Sequence, residues 1–240
     1  MTLGDFFGCT FVINLAERKD RRAQITRELE AAGMPFSPGK VEIFPAVRPI
    51  EALGFPSPGV RGCFLSHLGI LKLARERRLS SVLILEDDLV ISPLVREFQD
   101  HILSFLSTAR WDMVYFGHIE QVSNQSPPGF IPFTGPLVTA HFYAVNGPLI
   151  GRLIDYLEQV QTRPPGDPDG GPMHLDGALN MFRQRNPDTV TLIAQPNLGW
   201  QRPSRSDLHS TWLQSAPVFR HGYDLARNVR ALFRKSSPRG

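Results

Sequence analysis

The run Ser81-Val-Leu-Ile-Leu85, passing directly into Glu86-Asp87-Asp88, constrains the fold more than any other part of this chain. From Val82 to Leu85 no side chain is polar, so both faces of an extended segment are apolar. Such a strand is stable only when it is covered on both sides. That is the habit of a central strand in a largely parallel sheet lying between layers of helices. Adjacent carboxylates then end the strand abruptly, at the place where open α/β sheets carry their ligand sites.

The rest of the pattern agrees. Thr10–Leu15 reads as a strand, followed by a helix with Asp20 as N-cap, Ile25, Leu29 and Ala32 on one face, and Gly33 as its stop. Val41–Phe44 reads as a second strand and residues 45–60, rich in Pro and Gly, as a loop. A helix follows through Phe64, Leu65, Leu68, Leu71 and Leu73. Pro93 opens another that should run to about Leu106. Trp111–Phe116 and Leu137–Val145 read as strands, Leu149–Val160 as a helix, and Arg163–Pro172 as a loop. His174–Phe182 reads as a short helix and Thr189–Ala194 as a strand. Strands alternating with helices predict one α/β domain, a Rossmann-type, mostly parallel sheet sandwiched by helices, over residues 1–215.

Basicity invites a nucleic-acid reading until the charge is located. The formal net charge is +3, yet the segment from Arg220 to Gly240 holds six basic residues and one acid. The body is left with 20 basic and 22 acidic residues. A net acidic body without basic-aromatic interleaving disfavours nucleic acid as a partner. Residues 216–240 form a basic C-terminal tail. Its segment Tyr223–Phe233 places Leu225, Val229 and Leu232 on one helical face, which suits either an anionic membrane surface or a disordered basic tail. Two cysteines, Cys9 and Cys63, imply no disulfide framework. No apolar run approaches the length that spans a bilayer. The expected location is cytoplasmic, with peripheral contact at the inner face of the cytoplasmic membrane.

Carboxylates gathered at one strand end repel each other unless a cation joins them, and oxygen donors favour a hard divalent ion such as Mn²⁺ or Mg²⁺. In an extended segment Glu86 and Asp88 point to one side and Asp87 to the other. One side can then hold a metal while Asp87 meets a sugar or ribose hydroxyl. A solvated acidic turn is the plainer reading of the same residues. A metal-dependent phosphohydrolase would use such acids too, but normally with a further His/Asp set that is not evident here. A noncatalytic sugar- or protein-binding domain is the other alternative.

Three segments, Phe11-Val-Ile-Asn-Leu-Ala-Glu-Arg-Lys-Asp-Arg-Arg22, Gly62-Cys-Phe-Leu-Ser-His67 and Leu83-Ile-Leu-Glu-Asp-Asp88, resemble glycosyltransferase family 25 in order and spacing. That family includes lipooligosaccharide galactosyltransferases and collagen galactosyltransferase domains. The resemblance extends more thinly through Ser206-Asp-Leu-His209. It implies a GT-A fold, a UDP-sugar donor (galactose first, glucose second), Mn²⁺ dependence and inversion at the anomeric carbon. The implied acceptor is a hydroxyl of a glycan or glycolipid such as lipooligosaccharide. Carried onto this chain, Asn14, Leu15 and Arg18 line the nucleotide pocket, and Glu86–Asp88 stand for the metal-binding acidic motif, with Asp88 the direct ligand. His67, on an otherwise apolar helix face, reads by itself as a satisfied core histidine, and the resemblance would place it near the donor.

An inverting transfer needs one general base, and Asp176 in Met173-His-Leu-Asp-Gly177 is the residue the resemblance favours; a helix cap is its other reading. His174 is a second choice. Arg18, Arg61 or Arg202 can assist through phosphate contacts. His209 lies in the segment that closes over the donor in related transferases and is expected to reach the metal. Cys63 reads as a small packing residue.

Overall fold

Apolar strands that need cover on two faces receive it. The computed structural model describes residues 1–202, which form one compact unit. The helices are α1 (Leu3–Phe6), α2 (Lys19–Ala31), α3 (Pro58–Glu76), α4 (Leu94–Glu97), α5 (Gln99–Thr108), α6 (Gly147–Thr162) and α7 (Leu175–Arg185). The strands are β1 (Cys9–Asn14), β2 (Val41–Pro45), β3 (Ser81–Glu86), β4 (Leu89–Ile91), β5 (Met113–Tyr115), β6 (Gly129–Pro132), β7 (Phe142–Asn146), β8 (Thr191–Gln195) and β9 (Gly199–Gln201). A seven-stranded sheet runs β2-β1-β3-β7-β5-β8-β6, and β4 pairs with β9 in a separate two-stranded ribbon. Within the large sheet β7 and β6 oppose the other five strands.

β3 explains its own composition. Val82 and Ile84 pack with Phe64, Leu68, Leu71, Leu153 and Leu157 of α3 and α6. Leu83 and Leu85 pack on the opposite face with Ile25, Leu29, Ile102 and Leu106 of α2 and α5. Alternate side chains therefore enter different cores, and neither parity tolerates a polar residue. This mixed α/β, GT-A-like sheet is the fold the sequence predicts.

The chain places β2 on one flank of β1 and β3 on the other, both parallel to it. The crevice beyond the carboxyl ends of β1 and β3 is thus a topological switch point, the standard ligand position of open α/β sheets. Register sets Ile13 opposite Glu86, so Asn14 and Asp87 emerge side by side. α3 is docked by a close approach: a Cβ on Gly62 would lie 2.5 Å from the Val47 carbonyl oxygen. Ser66 secures the same contact, accepting from Val47 N at 2.9 Å and donating to Gly62 O at 2.7 Å.

Several expectations need correction. Arg18, not Asp20, precedes α2, with no side-chain cap; Asp20 sits in the first turn. The helix expected from Pro93 to Leu106 is two helices, broken at Phe98 (φ −109°, ψ 25°). The strand expected from Leu137 starts only at Phe142, because Thr139 is held at φ +80°, outside extended geometry. No helix among the described residues is long and apolar enough to cross a membrane. The expected boundary at 215, the tail 216–240 and His209 lie outside the described residues.

Candidate active site

Asp87 is the keystone of the crevice. It is 6% exposed, and its Oδ2 accepts from Asn14 Nδ2 at 2.7 Å while Oδ1 accepts from Arg21 Nη1 at 2.9 Å. Arg21 also lies 3.3 Å from Asp88 Oδ2. Asn14 Nδ2 reaches the Arg18 carbonyl at 3.3 Å, and Arg18 N donates to Leu15 O at 2.8 Å. The structure therefore brings Asn14, Leu15, Arg18, Asp87 and Asp88 together. Arg18 itself clasps Asp20 through Nε and Nη2, at 3.0 and 2.8 Å. That clasp draws the exposed Asp20 carboxyl down to about 2.

The expectation that Glu86 and Asp88 share a side is not met. β3 ends at Glu86 and residues 87–88 form a turn, so strand alternation stops there. Asp87 and Asp88 both meet Arg21. Glu86 instead faces His67 Nε2 at 3.5 Å and Cys63 Sγ at 3.7 Å, and its Oε2 accepts from Gln201 Nε2 at 2.8 Å. Burial alone would push the Glu86 carboxyl upward, but His67, His141 and Gln201 outweigh it and hold it below the usual value.

His67 is fully buried, with Nδ1 3.0 Å from Tyr143 Oη. Its Nε2 makes no well-formed hydrogen bond among the described residues. Cys63 is not a packing residue: solvent reaches it. The crowding of protein around its thiol, with Glu86, Asp176 and Asp88 nearby, still raises its pKa well above the ordinary value.

Asp176 occupies the second position of α7, following the N-cap residue His174, which is exposed. It is not the cap. Its Oδ1 accepts from Gly177 N at 2.8 Å and its Oδ2 from Thr139 N at 3.1 Å. Backbone donors thus fix this carboxylate in the same neighbourhood as Cys63. Arg61 donates to Glu51 O at 2.9 Å. Arg202 returns the end of the described chain to the acids, donating from its backbone N to Asp88 O at 2.7 Å and pairing with Glu28.

Three contributors escaped the sequence reading. Arg21 lies within the first resembling segment but carried no assigned role. His141, 2% exposed, spans Thr139 Oγ1 at 3.0 Å and Gly199 O at 3.2 Å, beside Glu86. Gln201 arrives through β9 pairing with β4. Only Arg21 had a local signal, one helical turn past Arg18.

Asp88 lies at the turn and offers the carboxylate oxygens that a hard divalent ion takes, but Arg21 Nη1 lies 3.3 Å from its Oδ2, so an ion there would share the carboxylate with that guanidinium. Asp87 is committed to Asn14 and Arg21, and Glu86 is turned toward nitrogen and sulfur donors.

No family model matches the chain. Among curated proteins, a glycosyltransferase 25 family member of Drosophila melanogaster is 31% identical over 140 residues, covering 49% of this chain and 22% of that protein. Human procollagen galactosyltransferase 2 is 26% identical over 196 residues, covering 74% of this chain and 30% of that protein. The sequence is similar to glycosyltransferase family 25. The chain spans less than a third of the length of these relatives. A solved glycosyltransferase, described as involved in glycosylation of the major capsid of PBCV-1, shares the fold with a TM-score of 0.52 at 12% identity. That match covers 83% of this chain and 96% of the other.

Proposed function

We propose that this chain is a metal-assisted, inverting glycosyltransferase that moves a hexose, galactose first among candidates, from a UDP-sugar to a glycan or glycolipid hydroxyl. The observation that carries the reading is the Asn14–Asp87 contact at 2.7 Å. It joins two of the segments similar to family 25 at the switch point of the sheet, where a nucleotide would lie.

Each residue then has a task. Asn14, Leu15 and Arg18 border the nucleotide, and Asp87 holds the β1 and β3 ends in fixed relation through Asn14 and ties them to α2 through Arg21. Asp88 would hold a divalent cation, Mn²⁺ or Mg²⁺, which when bound neutralises the negative charge of the departing diphosphate. Arg202 is held next to Asp88 by its backbone N–H, and its guanidinium would have to leave Glu28 to meet the same charge. The acceptor hydroxyl oxygen attacks the anomeric carbon, the bond to the diphosphate oxygen breaks, and the hydroxyl proton passes to Asp176. Backbone N–H groups on both Asp176 oxygens orient the carboxylate for that transfer. The tail 216–240 would bring the domain to an anionic membrane, on the cytoplasmic side, where glycolipid acceptors lie. His209 would add a metal ligand.

The test is release of UDP from a panel of UDP-sugars, with Mn²⁺, with chelator, and with Asp88→Ala. Metal-dependent turnover of one donor, abolished by the substitution, is the expected result. No turnover of any donor, together with no change in thermal stability on adding Mn²⁺, would sink the proposal.

A further inference from the structure

Cys63, His67 and Glu86 converge without help from the acid turn. Cys63 and His67 are four residues apart on α3, so they share one helix face. Glu86 ends β3 opposite that face. Among the described residues, these side chains form the group of three Cys, His, Asp or Glu whose donor atoms all lie within 4.8 Å of one another.

The spacing suits one ion. A tetrahedral centre with Zn–S of about 2.3 Å and Zn–N or Zn–O of about 2.0–2.1 Å requires S···O of about 3.5 Å and N···O of about 3.3 Å. Here Sγ···Oε1 is 3.7 Å and Nε2···Oε1 is 3.5 Å. These two edges exceed the requirement by only about 0.2 Å, and the third, between Cys63 Sγ and His67 Nε2, lies within 4.8 Å.

The surroundings orient each donor. Tyr143 Oη lies 3.0 Å from His67 Nδ1, which allows Nδ1–H to donate and leaves the Nε2 lone pair directed at Glu86. That Nε2 is fully buried and makes no well-formed hydrogen bond among the described residues, Glu86 Oε1 lying at ion-pair distance, 3.5 Å away. An orphaned buried nitrogen is costly unless something binds it. Gln201 holds Glu86 Oε2 at 2.8 Å, leaving Oε1 for the shared point. Partners of this kind, on the far side of the ligating atoms, are what fix His and carboxylate ligands in metal sites.

We propose that Cys63, His67 and Glu86 form a thiolate–imidazole–carboxylate site for a borderline-soft divalent ion of the Zn²⁺ class. Its fourth position is open to a water or an exogenous ligand. The site is separate from the oxygen-donor position at Asp88 and does not depend on the transferase reading. On binding, the Cys63 thiol gives its proton to solvent and the sulfur becomes a ligand.

Co²⁺, which reports sulfur ligation by colour, tests this on the full chain after removal of metals with chelator. Titration should give a saturable 1:1 complex with a thiolate charge-transfer band in the near ultraviolet and intense four-coordinate visible bands. Zn²⁺ should displace both. Cys63→Ala should abolish the charge-transfer band and weaken Zn²⁺ at least about 100-fold, while Tyr143→Phe should weaken it about 10–100-fold. Asp88→Asn should leave the band intact, and circular dichroism should show all three variants folded. The proposal is overturned if no thiolate band forms. It is equally overturned if the band survives Cys63→Ala, or if Asp88→Asn removes the binding and Cys63→Ala spares it.

Discussion

Replacing Asp87 by alanine removes the acceptor shared by Asn14 Nδ2 and Arg21 Nη1. Stranding one partner of a buried charge pair costs about 3–5 kcal/mol. Arg21 is not fully stranded, because Asp88 Oδ2 remains 3.3 Å away and 18% of the Arg21 side chain is exposed. The loss is therefore nearer to that of two charge-assisted hydrogen bonds partly replaced, about 2–3 kcal/mol. For a domain of this size that lowers the melting temperature by about 4–12 °C. The assay is thermal unfolding of the parent, Asp87→Ala, Asn14→Ala and the double variant. A lock between β1 and β3 predicts a double-mutant coupling of about 1 kcal/mol or more, because each single change already breaks the Asn14–Asp87 bond. A melting temperature for Asp87→Ala within about 1 °C of the parent, or strictly additive single effects, would refute the keystone role.

Asp176→Ala should lower kcat on the order of 10²–10⁴-fold with little change in donor KM if Asp176 takes the acceptor proton; a fall in melting temperature with kcat intact would assign it to holding Thr139 instead. Gly62→Ala forces a Cβ to 2.5 Å from Val47 O, and should cost about 1–3 kcal/mol by urea denaturation; an unchanged midpoint would mean α3 can withdraw freely. His118 donates from Nε2 to Ala194 O at 2.8 Å and accepts at Nδ1 from Glu120 N at 3.1 Å, and burial lowers its pKa below the usual 6.5. A depressed folded pKa means the neutral imidazole contributes stability above pH 6.5 that is lost as pH falls through the folded value. Nitrogen-15 NMR should find His118 as the neutral Nε2–H tautomer below pH 6.5, and a titration midpoint at or above 6.5 would contradict this.

What the sequence revealed followed from local physics. β3 announced itself because covering on both faces leaves no polar residue between Val82 and Leu85, and α3 and α6 because their apolar positions recur at helical spacing. β4 and β9 escaped because each is three residues long and exists only through pairing of Leu89–Ile91 with Gly199–Gln201, far along the chain. β6, an edge strand beginning with Gly129 and ending with Pro132, carries the residues that normally argue against a strand. In the site, the acids were visible as a cluster, but their directions were not. Alternation holds while the backbone is extended, and the turn at Asp87–Asp88 reassigns Asp88 to the Arg21 side. Cys63 and His67 could have been paired by their spacing of four on a helix. Gln201 had no local signal at all.

The double-sided packing of β3 also sets where this gene can tolerate length changes. Leu85 is fully buried against α2 and α5, and the next residue, Glu86, already belongs to the cleft. Scaffold and chemistry are separated by a single peptide bond. Deleting one residue between Val82 and Leu85 would draw Glu86 into the position now filled by Leu85, burying a carboxylate among leucines and isoleucines. Inserting one would push a leucine into the position of Glu86 and shift every acid out of register with Asn14. Drift in length should therefore accumulate in loops away from this junction, leaving the distance from the start of β3 to its acids invariant among working descendants of the chain.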